Sequence, residues 1–300
     1  MSLRPPLSRT EPVAAPASAP RERRGQPKAS ILAVTSGKGG VGKTFFSANL
    51  AAALARRGER VLVLDADLGL ANLDVVLNLH PKLTLHDVFT GKATLEQAIL
   101  PAPGGFSVLL AGSGLVEYSR LTPQVREQLV EIIDQLAPRY DRILLDTGAG
   151  ISDVVLHAIS LADDVLVIAT PEPTSMTDAY ATIKLLAIQQ GRRAIRLVVN
   201  QVSAVGEGRT IRNQLQLVVD RFVCPHLNGG SGAAVVLDLQ GEIPTDAAVR
   251  EAVQRRCLLL EKLPGAPAAL AVAAIGARMA RAGVPLSPAV APSLPAAGGR

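Results

Sequence analysis

Between residues 31 and 281 the chain alternates short, wholly apolar runs with longer stretches of helical periodicity. Ile31–Thr35, Arg60–Leu64, Phe106–Ala111, Arg142–Leu145, Asp164–Ala169, Ile195–Asn200 and Val235–Leu239 read as strands. They do not alternate polar with apolar residues, which is the mark of strands covered on both faces. Lys43–Arg57, Pro123–Leu136, Asp153–Ser160, Ser175–Gln190, Thr210–Phe222, Ala247–Arg256 and Pro267–Arg281 read as helices, with Thr84–Phe89 and Leu95–Ile99 as shorter helical pieces. Gly58 and Gly191 stand where helices should stop, Pro123 suits a first turn, and Ser175 and Asp178 are spaced as a capping box. The alternation predicts a single α/β domain over residues 30–282, a doubly wound, mostly parallel sheet with helices on both faces. Residues 1–29, rich in Pro, Ala, Ser and Arg, and residues 283–300, rich in Pro and Ala, lack periodicity and are expected to be a disordered arm and tail.

Composition narrows the function classes. The chain is 48% apolar but only 3% aromatic, with no Trp. Its core must be aliphatic, and it lacks the rings that a single-strand nucleic-acid platform stacks on bases. The net charge of +5 is concentrated in the flanks. Residues 1–30 hold six basic side chains against Glu11 and Glu22, and Arg281 and Arg300 face no acid near the other end. The body between is close to neutral, so specific nucleic-acid binding is not expected, although Arg192, Arg193 and Arg196, and Arg255 and Arg256, form local basic clusters. Cys224 and Cys257 cannot build a disulfide framework, and Cys224 with His226 is no zinc set. There is neither a long apolar run nor a secretory h-region, so the expected setting is the cytoplasm.

Three strand ends carry candidate chemistry. Gly37-x4-Gly42-Lys43-Thr44, between a strand and a helix, has the spacing of a phosphate-binding loop. Its glycines let backbone N–H groups turn toward phosphate oxygens, and the helix adds its positive end. Lys43 is expected at the β/γ-phosphates and Thr44 on Mg²⁺. Residues Gly37, Lys38, Gly39, Gly40, Val41, Gly42, Lys43, Thr44 and Phe45 form the candidate nucleotide-binding run. Asp65 and Asp67 follow the second strand, and Asp146 ends the apolar strand Ile143-Leu144-Leu145. A carboxylate delivered there holds Mg²⁺, usually through water. Gly148 and Gly150 leave room for a mobile loop beyond it.

Lys38 is not required by an ordinary phosphate loop. Lys38-Gly39-Gly40-Val41-Gly42-Lys43-Thr44 resembles the deviant P-loop of the MinD/ParA class of ATPases. The resemblance implies Mg²⁺-dependent hydrolysis of ATP in a sandwich homodimer, with Lys38 reaching the nucleotide of the partner subunit. It implies that Asp67 orients the attacking water while Asp65 lies near the metal, beside Thr44 and Asp146. Catalytic candidates are thus Lys38, Lys43 and Asp67. Asn200, at a strand end, is the candidate adenine contact, and Pro244 within Gly241–Asp246 closes the other side of the base in relatives. The absence of an Asn-Lys-x-Asp motif favours ATP over GTP.

Asp65–Asn72, Asp146–Ile151 and Thr170–Tyr180 are most similar to the FlhG/FleN group, MinD-like regulators of flagellar number and placement. This resemblance spans roughly residues 30–282. It implies a flagellar transcription factor or an FlhF-like GTPase as partner, with Glu172 and Asp178 at a dimer or partner face. Residues 1–30 lack the Asp-Gln-Ala-x-x-Leu-Arg activator motif common in that group. The segment Ala268–Arg281 reads as a last packed helix rather than as the group's membrane-targeting helix, so a membrane surface or cell pole is allowed but not indicated. The alternatives are a ParA-type partition ATPase, which needs a basic face, and a MinD-type division-site ATPase.

Overall fold

The structure is a computed structural model that describes residues 29–68, 72–112, 122–227 and 234–280. The arm and tail expected at 1–29 and 283–300 lie outside these residues, apart from Ala29. Strands β1 (Ser30–Ser36), β2 (Val61–Ala66), β3 (Ile99–Pro101), β4 (Ser107–Leu109), β5 (Arg142–Ala149), β6 (Asp164–Ala169), β7 (Ala194–Val202) and β8 (Val236–Pro244) form one sheet, ordered β3-β4-β2-β5-β1-β6-β7-β8. All neighbours are parallel except β3 and β4. The predicted doubly wound α/β architecture is what the chain adopts.

One face of the sheet is covered by α3 (Leu85–Phe89), α5 (Pro123–Leu136), α6 (Asp153–Ser160), α7 (Pro173–Gln189) and α8 (Glu207–Phe222). The other is covered by α1 (Lys43–Ala55), α2 (Leu73–Leu77), α9 (Ala247–Gln254), α10 (Leu259–Lys262) and α11 (Pro267–Met279), and the short α4 (Leu95–Ala98) leads into β3. Successive strand residues divide between the two cores: Ile143 and Leu145 face one, Leu144 the other. That is why these strands are apolar throughout.

Helix α1 has little amphipathic character because it is buried nearly all round, with Phe46 and Leu50 fully covered. Gly276 lets α11 pack close against it, since a Cβ there would come within 2.8 Å of Ala53 Cβ. Arg142 fastens the end of α11, donating to the Met279 carbonyl at 2.7 Å while pairing with the fully buried Glu59. No described helix is long and apolar enough to cross a membrane.

Several local expectations are corrected. Helix α7 starts at Pro173, because a residue with fixed φ and no N–H fits the first helical position. Ser175 therefore lies inside the first turn and accepts from Thr170 N at 3.0 Å instead of forming a capping box with Asp178. Helix α8 starts at Glu207, because the carboxylate of Glu242, from β8, accepts from Gly206 N and Gly208 N at 2.7 and 2.8 Å. Ile99 leaves the helical piece to start β3, where the chain reverses through Gly104 and Gly105, both at positive φ. Helix α2 follows the second strand, where the sequence pattern indicates only a loop.

Candidate nucleotide and magnesium site

Strand order and register assemble the site. β1, which launches the phosphate loop, is flanked by β5 and β6, and β2 lies beyond β5. Asp65 of β2 is level with Asp146 of β5, and Val34 of β1 is level with Asp146 from the other side. The loop, both carboxylates and the start of α1 therefore meet at the carboxyl ends of adjacent strands, where ligands sit in such sheets. A cavity of about 640 Å³ opens there. Gly39, Gly40, Gly42, Lys43, Thr44, Phe45 and Asp67 line it, with Thr147 to Ala149 opposite.

The loop is held by its surroundings. Gly42 adopts φ 95°, which favours glycine, and a Cβ would come within 2.6 Å of Asn200 Nδ2. Gly37 packs on the first turns of α7, leaving no room for a Cβ beside the carbonyl of Asp178. Val41 is buried, and its carbonyl accepts from Asn200 Nδ2 at 2.8 Å. The Asn200 Oδ1 accepts from Gln201 N at 2.9 Å. Asn200 thus braces the phosphate loop, and Pro244, half-buried at the end of β8, lies level with Val202 on the neighbouring strand.

The two lysines of the loop behave differently. Lys43 is buried, and its ammonium donates to Ser36 Oγ at 2.8 Å. Burial pulls its pKa down, against the attraction of Asp146 and Asp67. Lys38 turns outward instead. Its ammonium meets Glu172 at 2.5 Å and Thr174 Oγ1 at 2.9 Å, both at the start of α7. Glu172 therefore faces the loop of its own chain.

Negative charge collects around the metal position. Asp146 is buried, and its Oδ1 accepts from Ser47 Oγ at 2.8 Å. Burial pushes its pKa up to about 6, although hydrogen bonds from Thr44 and Ser47 and the charge of Lys43 oppose the shift. Burial and the neighbouring Asp146 carry the Asp65 pKa well above the usual range. Its Oδ1 accepts from Asp67 N at 3.1 Å, while Oδ2 is buried with no hydrogen-bond partner. A hard divalent cation fits this donor set. Carboxylate oxygens and the Thr44 hydroxyl are the ligands Mg²⁺ takes, and a buried carboxylate without a partner is one a cation relieves. Asp67 stands across from Gly148, with its Cγ 3.3 Å from where a Cβ would lie.

Thus every predicted residue from Gly37 to Phe45, with Asp65, Asp67 and Asp146, lies at one end of the sheet. Sequence reading missed Ser36, Ser47 and Thr174. Ser47 had a signal, since it follows Thr44 by three on α1 and shares its face. Thr174 had none, because its partner Lys38 is 136 residues away.

A family model described as an AAA domain matches residues 29–196. The antiactivator FleN of Pseudomonas aeruginosa is 41% identical over 86% of this chain and 89% of its own length. The chain belongs to the MinD/ParA class of P-loop ATPases. The flagellum site-determining protein YlxH of Helicobacter pylori is 32% identical over 78% of this chain and 76% of its own length. Among solved structures, the septum site-determining protein MinD of Pyrococcus horikoshii, complexed with Mg-ADP, superposes with a TM-score of 0.66 at 27% identity, covering 84% of this chain and 96% of that one. The chain is accordingly an ATPase that uses ATP and Mg²⁺.

Proposed function

We propose that this ATPase is a dimerising switch that regulates flagellar number or placement. The observation that carries the switch is the outward Lys38. A P-loop lysine that serves its own phosphates is buried, as Lys43 is, whereas Lys38 sits at the rim with 36% of its side chain exposed. From there it would serve a second copy of the chain facing the same rim. To do so it exchanges Glu172 and Thr174 for the phosphates of the partner subunit.

Within one subunit, the loop N–H groups and Lys43 bind the β- and γ-phosphates. Thr44 and Asp146, with Asp65 nearby, would hold Mg²⁺, which supplies charge neutralisation across the phosphates. Asp67, at the mouth of the cavity, orients the attacking water. Catalysis on this reading is positioning plus charge stabilisation, without a covalent intermediate. Loss of the γ-phosphate contacts lets the loops after β2 and β5 relax and the dimer part.

The flagellar assignment is supported by the likeness to FleN and YlxH. The partition alternative is weakened by the local basic cluster. Arg192 donates to the carbonyls of Ile159, Ala162 and Asp163, Arg193 donates to Ala187, and Arg196 pairs with Asp164 at 2.9 Å. These guanidinium groups are already engaged within the fold.

The switch is tested by light scattering of the full chain with ATP and Mg²⁺. Asp67→Ala is expected to stay dimeric with ATP, and Lys38→Ala to stay monomeric. A Lys38→Ala variant that dimerises and hydrolyses ATP like the native chain overturns the trans-lysine reading. Capture of partners by ATP-bound Asp67→Ala tests the pathway, and recovery of division or partition proteins in place of flagellar ones overturns that part.

A further inference from the structure

We infer that Ser47 is a positioning residue for the divalent cation: it holds Asp146 in the orientation that keeps one carboxylate oxygen turned to the metal position. The inference rests on the reading of Asp146 as a Mg²⁺-holding residue.

The geometry is specific. Ser47 Oγ lies 2.8 Å from Asp146 Oδ1 and is closed off from solvent, as is the carboxylate it holds. No water can take its place without opening the core, so this hydrogen bond to a charged group is hard to replace. Ser47 and Thr44 approach the same carboxylate from successive turns of α1. With Mg²⁺ bound, Thr44 would have a second duty, because its hydroxyl would help hold the cation. Ser47 has no such duty and stays with Asp146 throughout.

The carboxylate needs such a tether. The Lys43 ammonium attracts it, while the Asp67 and Asp65 carboxylates repel it. These pulls change when Lys43 moves from Ser36 to a phosphate. The support behind Ser47 is rigid. Phe46 is fully buried, and Asn49 is locked by donating to the Phe45 carbonyl at 2.9 Å and accepting from Leu260 N at 3.1 Å. A ligand is held to a useful geometry only when its supporting shell is itself fixed.

The test is a Mg²⁺ titration of fluorescent N-methylanthraniloyl-ADP binding to the full chain. ADP keeps hydrolysis and dimerisation out of the readout, so failure of the proposed switch leaves this result intact. For Ser47→Ala the Mg²⁺ concentration at half-effect is expected to rise about tenfold, as loss of an outer-shell partner does. Its nucleotide affinity in EDTA should stay within about twofold of native, a span too small to reflect a lost folding contact. Ser47→Thr, which keeps the hydroxyl, should restore most of the Mg²⁺ response, and thermal melting confirms that each variant is folded. The inference is overturned if Ser47→Ala leaves the Mg²⁺ requirement unchanged while Asp146→Asn raises it. It is also overturned if Ser47→Ala weakens binding equally with and without Mg²⁺, the mark of a purely structural role. If Asp146→Asn itself leaves the requirement unchanged, the metal position assigned to Asp146 fails, and the role of Ser47 with it.

Discussion

The two ends of the same sheet treat buried charge in opposite ways. At the amino ends of the strands, charge is matched. Arg142 meets Glu59 at 3.3 Å with both side chains buried, the partly buried Arg60 forms a two-pronged pair with Asp141, and the more exposed Arg196 pairs with Asp164. At the carboxyl ends, Asp65 and Asp146 stand level in neighbouring strands, with the Lys43 ammonium attracting Asp146 and the Asp67 carboxylate opposing both, and their pKa values rise. Strand propensity cannot explain the contrast, since β2 and β5, with the residues that lead into them, contribute to both ends. One end is closed on itself, while the other keeps a deficit of positive charge that a cation and a phosphate-bound lysine relieve. Fold stability is built into the first end, and a ligand requirement into the second.

The sharpest way to break this comparison is at the matched end. Arg142→Ala removes the buried ion pair to Glu59 and frees the Met279 carbonyl. It should cost about 3–5 kcal/mol in denaturant unfolding, the range for breaking one half of a buried pair. Replacing both, as in Glu59→Gln with Arg142→Met, should recover much of that loss. If the single substitution costs less than about 1 kcal/mol, the amino end is no better matched than an exposed pair.

At the deficient end the same kind of change should stabilise. Asp146 loses its proton near pH 6 when folded, against 3.8 for the unperturbed group, so ionisation weighs against the folded state. The stability tied to the protonated carboxyl is present below about pH 4 and lost as pH rises toward 6, a penalty of about 3 kcal/mol at neutral pH. Nucleotide-free Asp146→Asn should therefore unfold at a higher denaturant concentration than the native chain at pH 7, while losing Mg²⁺-dependent ATPase activity. Their difference should shrink toward zero at pH 4, and a pH-independent difference would sink this account. Adding Mg-ADP should stabilise the native chain more than the variant, because the cation relieves the same penalty.

The smallest stability effect is expected at the rim. The Lys38–Glu172 pair is largely solvated, with 36% and 59% of the two side chains exposed. Glu172→Gln should change unfolding by less than about 1 kcal/mol. Its effect should appear in dimerisation instead, where a freed Lys38 lowers the ATP concentration needed to form the dimer. An unchanged ATP threshold would show that the contact with α7 does not hold Lys38 back.

Much of the fold and the centre of the site were legible because their determinants are local. The glycine spacing of residues 37–44, the apolar run before Asp146 and the periodicity of α5 lie within single elements. What was misread depended on distant partners. The start of α8 is capped by Glu242, from a different strand, and Ser175 is claimed by the amide of Thr170. Arg192 belongs to a local basic cluster in the sequence, and its guanidinium is occupied by carbonyls around the end of α6, about 30 residues away.

The sequence by itself determined that strands buried on both faces alternate with helices, that a phosphate loop joins β1 to α1, and that acidic residues end two other strands. Each follows from short-range spacing, which backbone geometry converts into structure without further information. Only the tertiary structure decided that β2 and β5 place Asp65 and Asp146 level, that Lys43 turns inward while Lys38 turns to Glu172, and that Ser47 rather than Thr44 alone holds Asp146. Those outcomes depend on strand order and on which side chains share a low-dielectric space. Both arise when segments far apart in the chain pack together, as Ser47 with Asp146 and Lys38 with Glu172 do across 99 and 134 residues, and no local pattern encodes them.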